Sequence, residues 1–414
     1  MKIYFALRLY TGLEFSVNNK KWTPTGIPTI YKLLETLEKK HQIKVNLFQK
    51  TSEAMQFSDL NSSKSGKVKF EEFKNSFYIF SKFKISEILG KKINKVFEEI
   101  HHTIRIIINI IKFKPEIIYV DNANIWAGGI IARIFSRPVV LRVLGVYPQT
   151  RTLYNNKNLS IIKKIFKWCY RAPYSLVINT DDGSNGHDIL VKLLKPNTNN
   201  VLLLNGVDIP KNNSEKVLFP DFKLSNSVLK CLFIGKLEVY KGCITFVDTI
   251  MKAIDLGMKN IHAIIIGIGS EKKNILKKIK LNKKEKYFTI LGNISHKDIF
   301  YFHYISDLYI SLNSLGNFSN VNLEAIKYGQ VIVLPKSLPL VDNKKSLDKV
   351  LSIKGALWIK DPSDIKGLLQ IIKNIYDDRE KLKKHKNAAK KNLNKIPSWT
   401  SRIKKEIKLL EDLV

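Results

Sequence analysis

Short apolar runs rich in β-branched residues alternate along the chain with longer segments of helical periodicity, and this alternation constrains the fold most strongly. Parallel strands are joined by crossover segments, usually helices, so the pattern predicts parallel sheets covered by helices on both faces. With 414 residues, the chain is long enough for two such domains. We therefore expect an α/β protein with two Rossmann-like βαβ domains.

The pattern is clearest in the second half. Strands are predicted there at residues 231–234, 263–266, 288–291, 308–312, 331–334 and 356–359, and helices at 244–255, 272–280, 297–304, 321–328, 363–378, 380–393 and 399–410. In the first half, strands are predicted at 2–9, 44–48, 116–120, 139–143, 175–179 and 201–204, and helices at 25–40, 87–113, 127–135 and 161–170. Residues 51–86 show no clear pattern, and residues 208–226, with Pro210 and Pro220, are predicted to form a linker.

The charge balance narrows the classes of partner. The chain has 70 Lys and Arg against 36 Asp and Glu, a net charge of +34. Such a surface attracts nucleic acid, anionic lipid or phosphorylated substrates, although lysines spread over the whole chain also reflect a compositional bias. The sequence contains no nucleic-acid-binding motif, and its three cysteines match no metal-binding spacing.

The sequence predicts a protein that is soluble or lies on a membrane surface, and not one that crosses the membrane. No apolar segment reaches the length needed to span a bilayer, and residues 1–15 are interpreted as a first strand because they lack the pattern of a signal peptide. Residues 160–171 and 91–113 combine apolar and basic side chains, as helices lying on anionic lipid do. The alternative is that both are core-facing helices with solvated lysines.

Three junctions between a strand and a helix in the second half carry candidate binding residues. Gly235 ends a strand, and the loop after it contains Lys236 and Lys241, which can neutralise a diphosphate. Gly267 begins a glycine turn after the next strand. A third loop leads into a helix near Asn320, whose free N–H groups can bind an anion, with Glu324 one turn inside.

These junctions resemble the GT-B glycosyltransferases, in particular the retaining family 4. The family loop G-R-L-x-x-x-K-G corresponds to residues 235–242, and its E-x7-E motif, followed by A-x-x-x-G, corresponds to residues 316–329. Residues 205–208 match its N-G-V-D segment. The resemblance covers most of the chain and is specific in the second half.

The resemblance implies an organisation and a set of roles. It implies a GT-B fold with domains at 1–206 and 207–395 facing across a cleft, and a C-terminal helix at 396–414 returning to the first domain. Lys236 and Lys241 would hold the donor diphosphate, and Glu324 the ribose. The remaining donor contacts would come from Gly26, Gly235, Gly267, Ile294, Phe318, Ser319, Asn320 and Val321, with the base near residues 292–294. The acceptor would bind near residues 142–147, which include Arg142 and Gly145.

The sequence departs from the family pattern around the sugar. The first Glu of E-x7-E falls at Gly316, the histidine often found in the first domain falls at Leu144, and the family arginine is replaced by Lys236. Lysine supplies a point charge in place of a bidentate fork. The nucleotide half of the predicted site is therefore complete, and the sugar half is altered.

The leading hypothesis is a retaining glycosyltransferase that needs no cofactor or obligatory metal and uses a UDP- or GDP-type sugar donor. Its acceptor would be a cell-envelope polysaccharide or lipid-linked glycan, and the enzyme would be cytoplasmic, at the inner face of a membrane. One alternative is a GT-B epimerase using Asp121, Asp181, Asp182 and His187. Others are an inactive nucleotide-sugar-binding relative and a non-enzymatic basic protein that binds nucleic acid or membrane.

Overall fold

The computed structural model describes residues 1–50, 65–83, 90–146, 148–155, 158–209, 224–292, 294, 296–316, 318–338 and 353–414. The chain forms two compact units. The first unit comprises Met1–Asp181, Gly186–Leu203 and Trp399–Val414, and the second comprises Asp182–Asn185 and Leu204–Ser398. The predicted α/β fold with two parallel-sheet domains is confirmed.

The first unit is built on an eight-stranded sheet of order β3-β4-β2-β1-β5-β6-β7-β8. Its strands are β1 Lys2–Arg8, β2 Gln42–Phe48, β3 Gly66–Val68, β4 Phe77–Phe80, β5 Ile117–Asp121, β6 Val139–Val143, β7 Leu176–Asp181 and β8 Asn200–Leu204. Strands β2, β1, β5, β6 and β7 pair in parallel, and β3 runs antiparallel to β4. All residues of β5 and β6 are buried, as expected for strands covered on both faces.

Helices cover both faces of this sheet. They are α1 Thr11–Asn19, α2 Pro28–Glu38, α3 Lys91–Phe113, α4 Ile125–Ile134, α5 Pro148–Asn155, α6 Ile161–Tyr170, α7 Gly186–Leu193 and the last helix of the chain, which is numbered α14 below, Trp399–Glu411. The core is divided accordingly. Leu13, Leu33 and Trp399 belong to one apolar cluster, and Ile106, Ile131 and others belong to the cluster on the opposite face.

A buried ionic cluster fixes α14 within the first unit. Glu406 Oε1 accepts a hydrogen bond from the Tyr119 hydroxyl at 2.6 Å and lies 3.6 Å from Arg142 Nε, while Glu406 Oε2 lies 2.7 Å from Arg402 Nη1. Burial alone would raise the pKa of Glu406, but the two arginines and the hydrogen bonds outweigh it and lower the pKa. The helix is therefore held by paired charges as well as by apolar packing.

The second unit is built on a six-stranded sheet of order β11-β10-β9-β12-β13-β14, in which every pair is parallel. Its strands are β9 Leu229–Ile234, β10 Ile261–Ile266, β11 Phe288–Leu291, β12 Leu308–Ile310, β13 Val331–Pro335 and β14 Leu357–Ile359. Its helices are α8 Cys243–Asp255, α9 Lys272–Leu281, α10 His296–Ile305, α11 Asn320–Lys327, α12 Ile365–Asp377 and α13 Arg379–Ala389. Apolar side chains alternate between two clusters, one on each face of the sheet.

The structure differs from the sequence prediction in a few segments. The first strand ends at Arg8, and residues 11–19 form α1, whose Leu13 and Val17 are buried at helical spacing. Helix α2 begins at Pro28, because proline is favoured in the first helical turn. Helices α5 and α7 were not predicted. Strands β3 and β4 lie within the unassigned segment 51–86, and most of the predicted linker lies outside the described residues.

Candidate functional site

The carboxyl ends of the adjacent strands β9 and β12 lie side by side at one end of the sheet of the second unit, which is called its edge below. From β9 the chain proceeds to β10 and β11 on one side, and it then returns to add β12, β13 and β14 on the other side. The connections therefore reverse direction between β9 and β12. In open parallel sheets such a switch point, beyond the carboxyl ends of the strands, is where ligands bind. The loop after β9 and the loop after β12 are the two that meet there.

A close backbone contact leaves no room for a side chain at Gly267. A β carbon at this position would lie 1.9 Å from the carbonyl oxygen of Gly235. The φ angle of Gly267 is +149°, which side chains disfavour. Leu237 N–H also donates to Ile268 O at 2.9 Å, so the turns after β9 and β10 pack directly together. This packing gives Gly267 a structural reason, in addition to the donor contact predicted for it.

The loop after β9 carries both predicted lysines. Lys236 is exposed, and Lys241 is partly buried with its ammonium 5.4 Å from the centroid of the Tyr240 ring. Burial, reinforced by the nearby positive charge of Lys236, lowers the pKa of Lys241 to about 8, and the carboxylate of Asp182 opposes this shift. Ser314 N–H donates to Tyr240 O at 2.9 Å and joins this loop to the loop after β12.

Helix α11 begins where the loop after β12 ends. Ser319 is the N-cap, and its hydroxyl accepts a hydrogen bond from Asn322 N–H. The N–H groups of Asn320 and Val321 have no acceptor within the helix, because they are in its first turn. The Asn320 side chain accepts a hydrogen bond from Asn205 Nδ2 at 2.8 Å, which links the N-G-V-D segment to the helix start. A helix start of this kind favours a phosphate group.

Phe318, which was predicted to contact the donor, also has a structural role. Its side chain is buried in the core of the second unit, and its backbone N–H donates to the carbonyl oxygen of Asp182 at 3.0 Å. That N–H is therefore engaged within the protein. Among the predicted backbone donors, those of Asn320 and Val321 are the better placed for an anion.

Glu324 lies one turn inside α11 and is partly buried. Its negative charge adds to burial in raising the pKa of Tyr328. Burial lowers the pKa of His303, and the charge of Glu324 opposes this shift. The Nδ1 atom of His303 lies 2.5 Å from Gln330 Oε1. Sequence reasoning missed His303 because a single histidine among apolar helix positions has no distinctive pattern.

Gly316, where the family has Glu, lies against the loop Asp182–Asn185. A β carbon at Gly316 would be 2.5 Å from the carbonyl oxygen of Asp182 and 3.7 Å from its carboxyl carbon. The Asp182 carboxylate is oriented locally, since Ser184 N–H donates to its Oδ1 at 3.0 Å. The backbone of Asp182 therefore occupies the space that a longer residue at position 316 would need.

Several other predicted site residues lie in loops of the two units. Gly26 precedes α2 and has a φ angle of +89°. Gly145 is buried, Leu144 is partly buried against the core, and Tyr147 lies outside the described residues. Ile294, in the second unit, packs against its core, and Asn293 beside it is not among the described residues.

The structure corrects the acceptor role predicted for Arg142. Its side chain is fully buried, and its guanidinium donates to Val143 O, Ile178 O and the hydroxyls of Thr29 and Thr180 at 2.7–3.1 Å. With Glu406 beside it, this arginine is part of the interior of the first unit. Sequence reasoning could not detect this, because its partners come from distant parts of the chain.

Asp121, a carboxylate considered for epimerase chemistry, is also interior. It accepts hydrogen bonds from Arg8 N–H and from the Tyr10 hydroxyl, both at 2.6 Å, and burial raises its pKa. Within the described part of the chain, no three His, Cys, Asp or Glu side chains are grouped so that they could hold a metal ion.

The second unit resembles a known protein family in sequence. Residues 214–392 match the family of glycosyl transferases group 1, and this segment contains the whole edge formed by the loops after β9 and β12. A search of curated protein sequences found no match.

The fold as a whole is similar to solved structures. Sucrose-phosphate synthase from Thermosynechococcus elongatus is 13% identical with a TM-score of 0.69, and the alignment covers 100% of this chain and 99% of that one. Anabaena HepE in complex with UDP is 15% identical with a TM-score of 0.65, and both chains are covered completely. A glycosyltransferase from Rickettsia africae is 15% identical with a TM-score of 0.66, covering 100% and 98%. The fold is therefore that of the GT-B glycosyltransferases.

Proposed function

We propose that the protein transfers a sugar from a nucleoside-diphosphate sugar to a hydroxyl acceptor, and that the second unit binds the donor. The observation that carries this proposal is the convergence of Lys236, Lys241 and the start of α11 at the switch point of a parallel sheet. Positive charge and helix N–H groups at one edge suit a diphosphate. The match of residues 214–392 to glycosyl transferases group 1 supports the same ligand.

A uridine nucleotide is the proposed donor type. Structures of HepE, which this fold resembles, contain UDP and UDP-glucose. Glu324, one turn inside α11, is proposed to accept hydrogen bonds from the ribose hydroxyls. Ile294 follows β11, the neighbour of β10, and is proposed to lie near the base.

The chemistry proposed for the site is stabilisation of a leaving diphosphate. Negative charge grows on the diphosphate as the bond to the sugar breaks, and Lys236 and Lys241 would stabilise that charge. The resemblance to family 4 supports retention at the sugar carbon without an obligatory metal. It also supports a cell-envelope or lipid-linked saccharide as acceptor, with the enzyme acting in the cytoplasm at the inner face of a membrane.

The test is a thermal-shift panel of UDP-, GDP-, ADP- and CMP-sugars on the wild type, Lys241→Ala and Glu324→Ala. A ligand at about 100 times its Kd adds about 2.7 kcal/mol to the free energy of unfolding. We expect one nucleotide class to stabilise the wild type and both variants to lose most of that effect. Lys277→Ala, which removes an exposed lysine of α9, is the matched control. Equal stabilisation of all four proteins would refute the assigned residues.

Product analysis separates transfer from its alternatives. Gly316 in place of the family Glu is the specific observation that favours a relative that binds nucleotide sugar without transferring it. Incubation of the wild type with the stabilising donor and an acceptor mixture should release nucleoside diphosphate if the protein is a transferase. Conversion of the donor to an epimer would instead identify an epimerase, and binding without turnover would identify an inactive relative.

A further inference from the structure

Helix α3 of the first unit exposes a long row of large apolar side chains. Six of its residues are between 39% and 57% exposed, namely Ile93, Phe97, Ile100, Ile104, Ile108 and Ile111. They recur every three or four residues, so they lie on one face of the helix. We call this face the apolar stripe. Exposed apolar patches of this extent mark sites of protein or membrane interaction.

The apolar stripe is not needed to attach α3 to its own unit. The opposite side of the helix already supplies His102, Ile106 and Ile110, which are fully buried against the sheet. The helix is therefore apolar on two opposite faces, and among the described residues only one of these faces packs in the first unit. The apolar stripe stays in contact with water unless another molecule covers it.

Neighbouring helices add further exposed apolar residues. Helix α4 packs against both α3 and α6, and it adds Ile134, which is 57% exposed. Helix α6 adds Ile161 and Trp168, and the Arg133 guanidinium lies 3.6 Å from the centroid of the Trp168 ring. The other apolar residues of α6 pack against the core, so α3 rather than α6 carries most of the exposed apolar area.

The exposed charges described on helices α3, α4 and α6 have one sign. The basic residues described on α3, α4 and α6 are Lys92, Lys95, Arg105, Lys112, Arg133, Lys163, Lys164 and Lys167. The acidic residues on these helices, Glu98 and Glu99, are both buried, and Glu99 is paired with Lys50 at 2.7 Å. A complementary surface must therefore be apolar in the middle and negatively charged around it.

An anionic lipid bilayer has these properties, and a second copy of the chain does not. In a symmetric dimer the same patch meets itself, so the basic residues of one copy would face those of the other. A bilayer accepts apolar side chains below its headgroups, and anionic lipids attract nearby lysines and arginines. A helix of 23 residues is about 34 Å long and can lie flat along such a surface.

We propose that the apolar stripe of α3, together with the exposed apolar residues of α4 and α6, docks the protein on an anionic lipid bilayer. The helix lies in the plane of the headgroups, with its isoleucines inserted and its basic residues beside lipid phosphates. Among the described residues, no helix is long and apolar enough to cross a membrane. The site lies in the first unit and does not rest on the donor site proposed in the second.

The experiment is co-sedimentation with vesicles of phosphatidylcholine alone and of equal parts phosphatidylcholine and phosphatidylglycerol. Wild-type protein is expected to bind the mixed vesicles and to bind the neutral ones weakly. Ile104→Glu should lower binding to the mixed vesicles at least about tenfold. Arg105→Ala and Lys112→Ala should each lower it about fivefold. Leu276→Glu, a similarly exposed apolar position on α9, should bind like the wild type.

Three results would overturn the proposal. One is equal binding of Ile104→Glu and wild type to the mixed vesicles, with both proteins folded by circular dichroism. Another is wild-type binding that does not depend on phosphatidylglycerol. The third, from sedimentation velocity without lipid, is a wild-type dimer that Ile104→Glu converts to a monomer, which would assign the apolar stripe to a second copy. Nucleotide stabilisation of Ile104→Glu, measured separately, should match the wild type in every case.

Discussion

The lowered pKa of Lys241 predicts that donor affinity falls as the pH rises through a narrow range. Burial and the positive charge of Lys236 lower this pKa to about 8, so the side chain loses its proton near neutrality rather than at high pH. Only the ammonium form can neutralise a phosphate. Protonation and donor binding are therefore linked, and each strengthens the other.

The expected magnitude follows from the protonated fraction. A group with a pKa of about 8 is about nine-tenths protonated at pH 7 and about one-tenth protonated at pH 9. If the ammonium form alone binds donor, the apparent affinity is reduced by that fraction, so it should fall about tenfold between these two pH values. The diphosphate of a nucleotide sugar has no titration of its own in this range. A loss of affinity that is absent when residue 241 stays charged is therefore assigned to Lys241.

Isothermal titration of the stabilising nucleotide sugar at pH 7, 8 and 9 measures this effect. Lys241→Arg is the matched control, because its guanidinium stays charged throughout the range and its affinity should change little with pH. Lys241→Met should bind more weakly at every pH and should also lack the pH dependence. The reasoning is refuted if the wild type and Lys241→Arg lose affinity in parallel as the pH rises.

Two further predictions concern the architecture around the sites. Gly316→Glu, which restores the family residue, should lower the free energy of unfolding by about 1–3 kcal/mol, because its β carbon would lie 2.5 Å from Asp182 O, the acceptor for Phe318 N–H. Glu406→Gln should cost about 3–5 kcal/mol at neutral pH, because it leaves two buried arginines without their carboxylate. Denaturant titration measures both, and Glu411→Gln, an exposed position on the same helix, controls for the second.

The sign of the pH effect at Glu406 gives a further check on that prediction. Its pKa is lowered in the folded protein, so its contribution to stability is fully present above the ordinary pKa of glutamate. The contribution is lost as the pH falls through the lowered value. The difference in stability between wild type and Glu406→Gln should therefore shrink in acid, and a constant difference would argue against the ionic cluster. For Gly316→Glu, an unchanged unfolding midpoint would show that the loop Asp182–Asn185 can move away.

Sequence alone predicted most of the fold because several central strands are continuous buried apolar runs. The predicted bounds of β6, β11 and α6 agree with the structure, since each is a well-delimited run of apolar or periodic residues. Residues 11–15 of α1 were included in the segment interpreted as a first strand, because Leu13 and Phe15 continue the apolar character of β1. Helices α5 and α7 have eight residues each, which gives a weak periodic signal; α11 is equally short, but the strand and polar loop before it mark its start.

The candidate site was predictable only where local residue types carry the signal. Gly235, Lys236, Lys241 and Glu324 stand in short segments whose spacing is visible in the sequence, and their donor roles stay predictions. The approach of Asp182 to Gly316 could not be predicted, because it joins loops far apart in the chain. Arg142 was misassigned for the same reason, since its burial depends on residues contributed by other strands and by α14.

The location of α14 affects the order in which the protein can fold during synthesis. Tyr119 is translated 287 residues before its partner Glu406. The core of the first unit therefore stays incomplete while the ribosome makes the whole of the second unit, whose elements all precede α14. The second unit can fold first, which reverses the usual N-terminal-first order. Until α14 has left the ribosome, Arg142 lacks the carboxylate of Glu406, so the interior around this arginine cannot reach its final state.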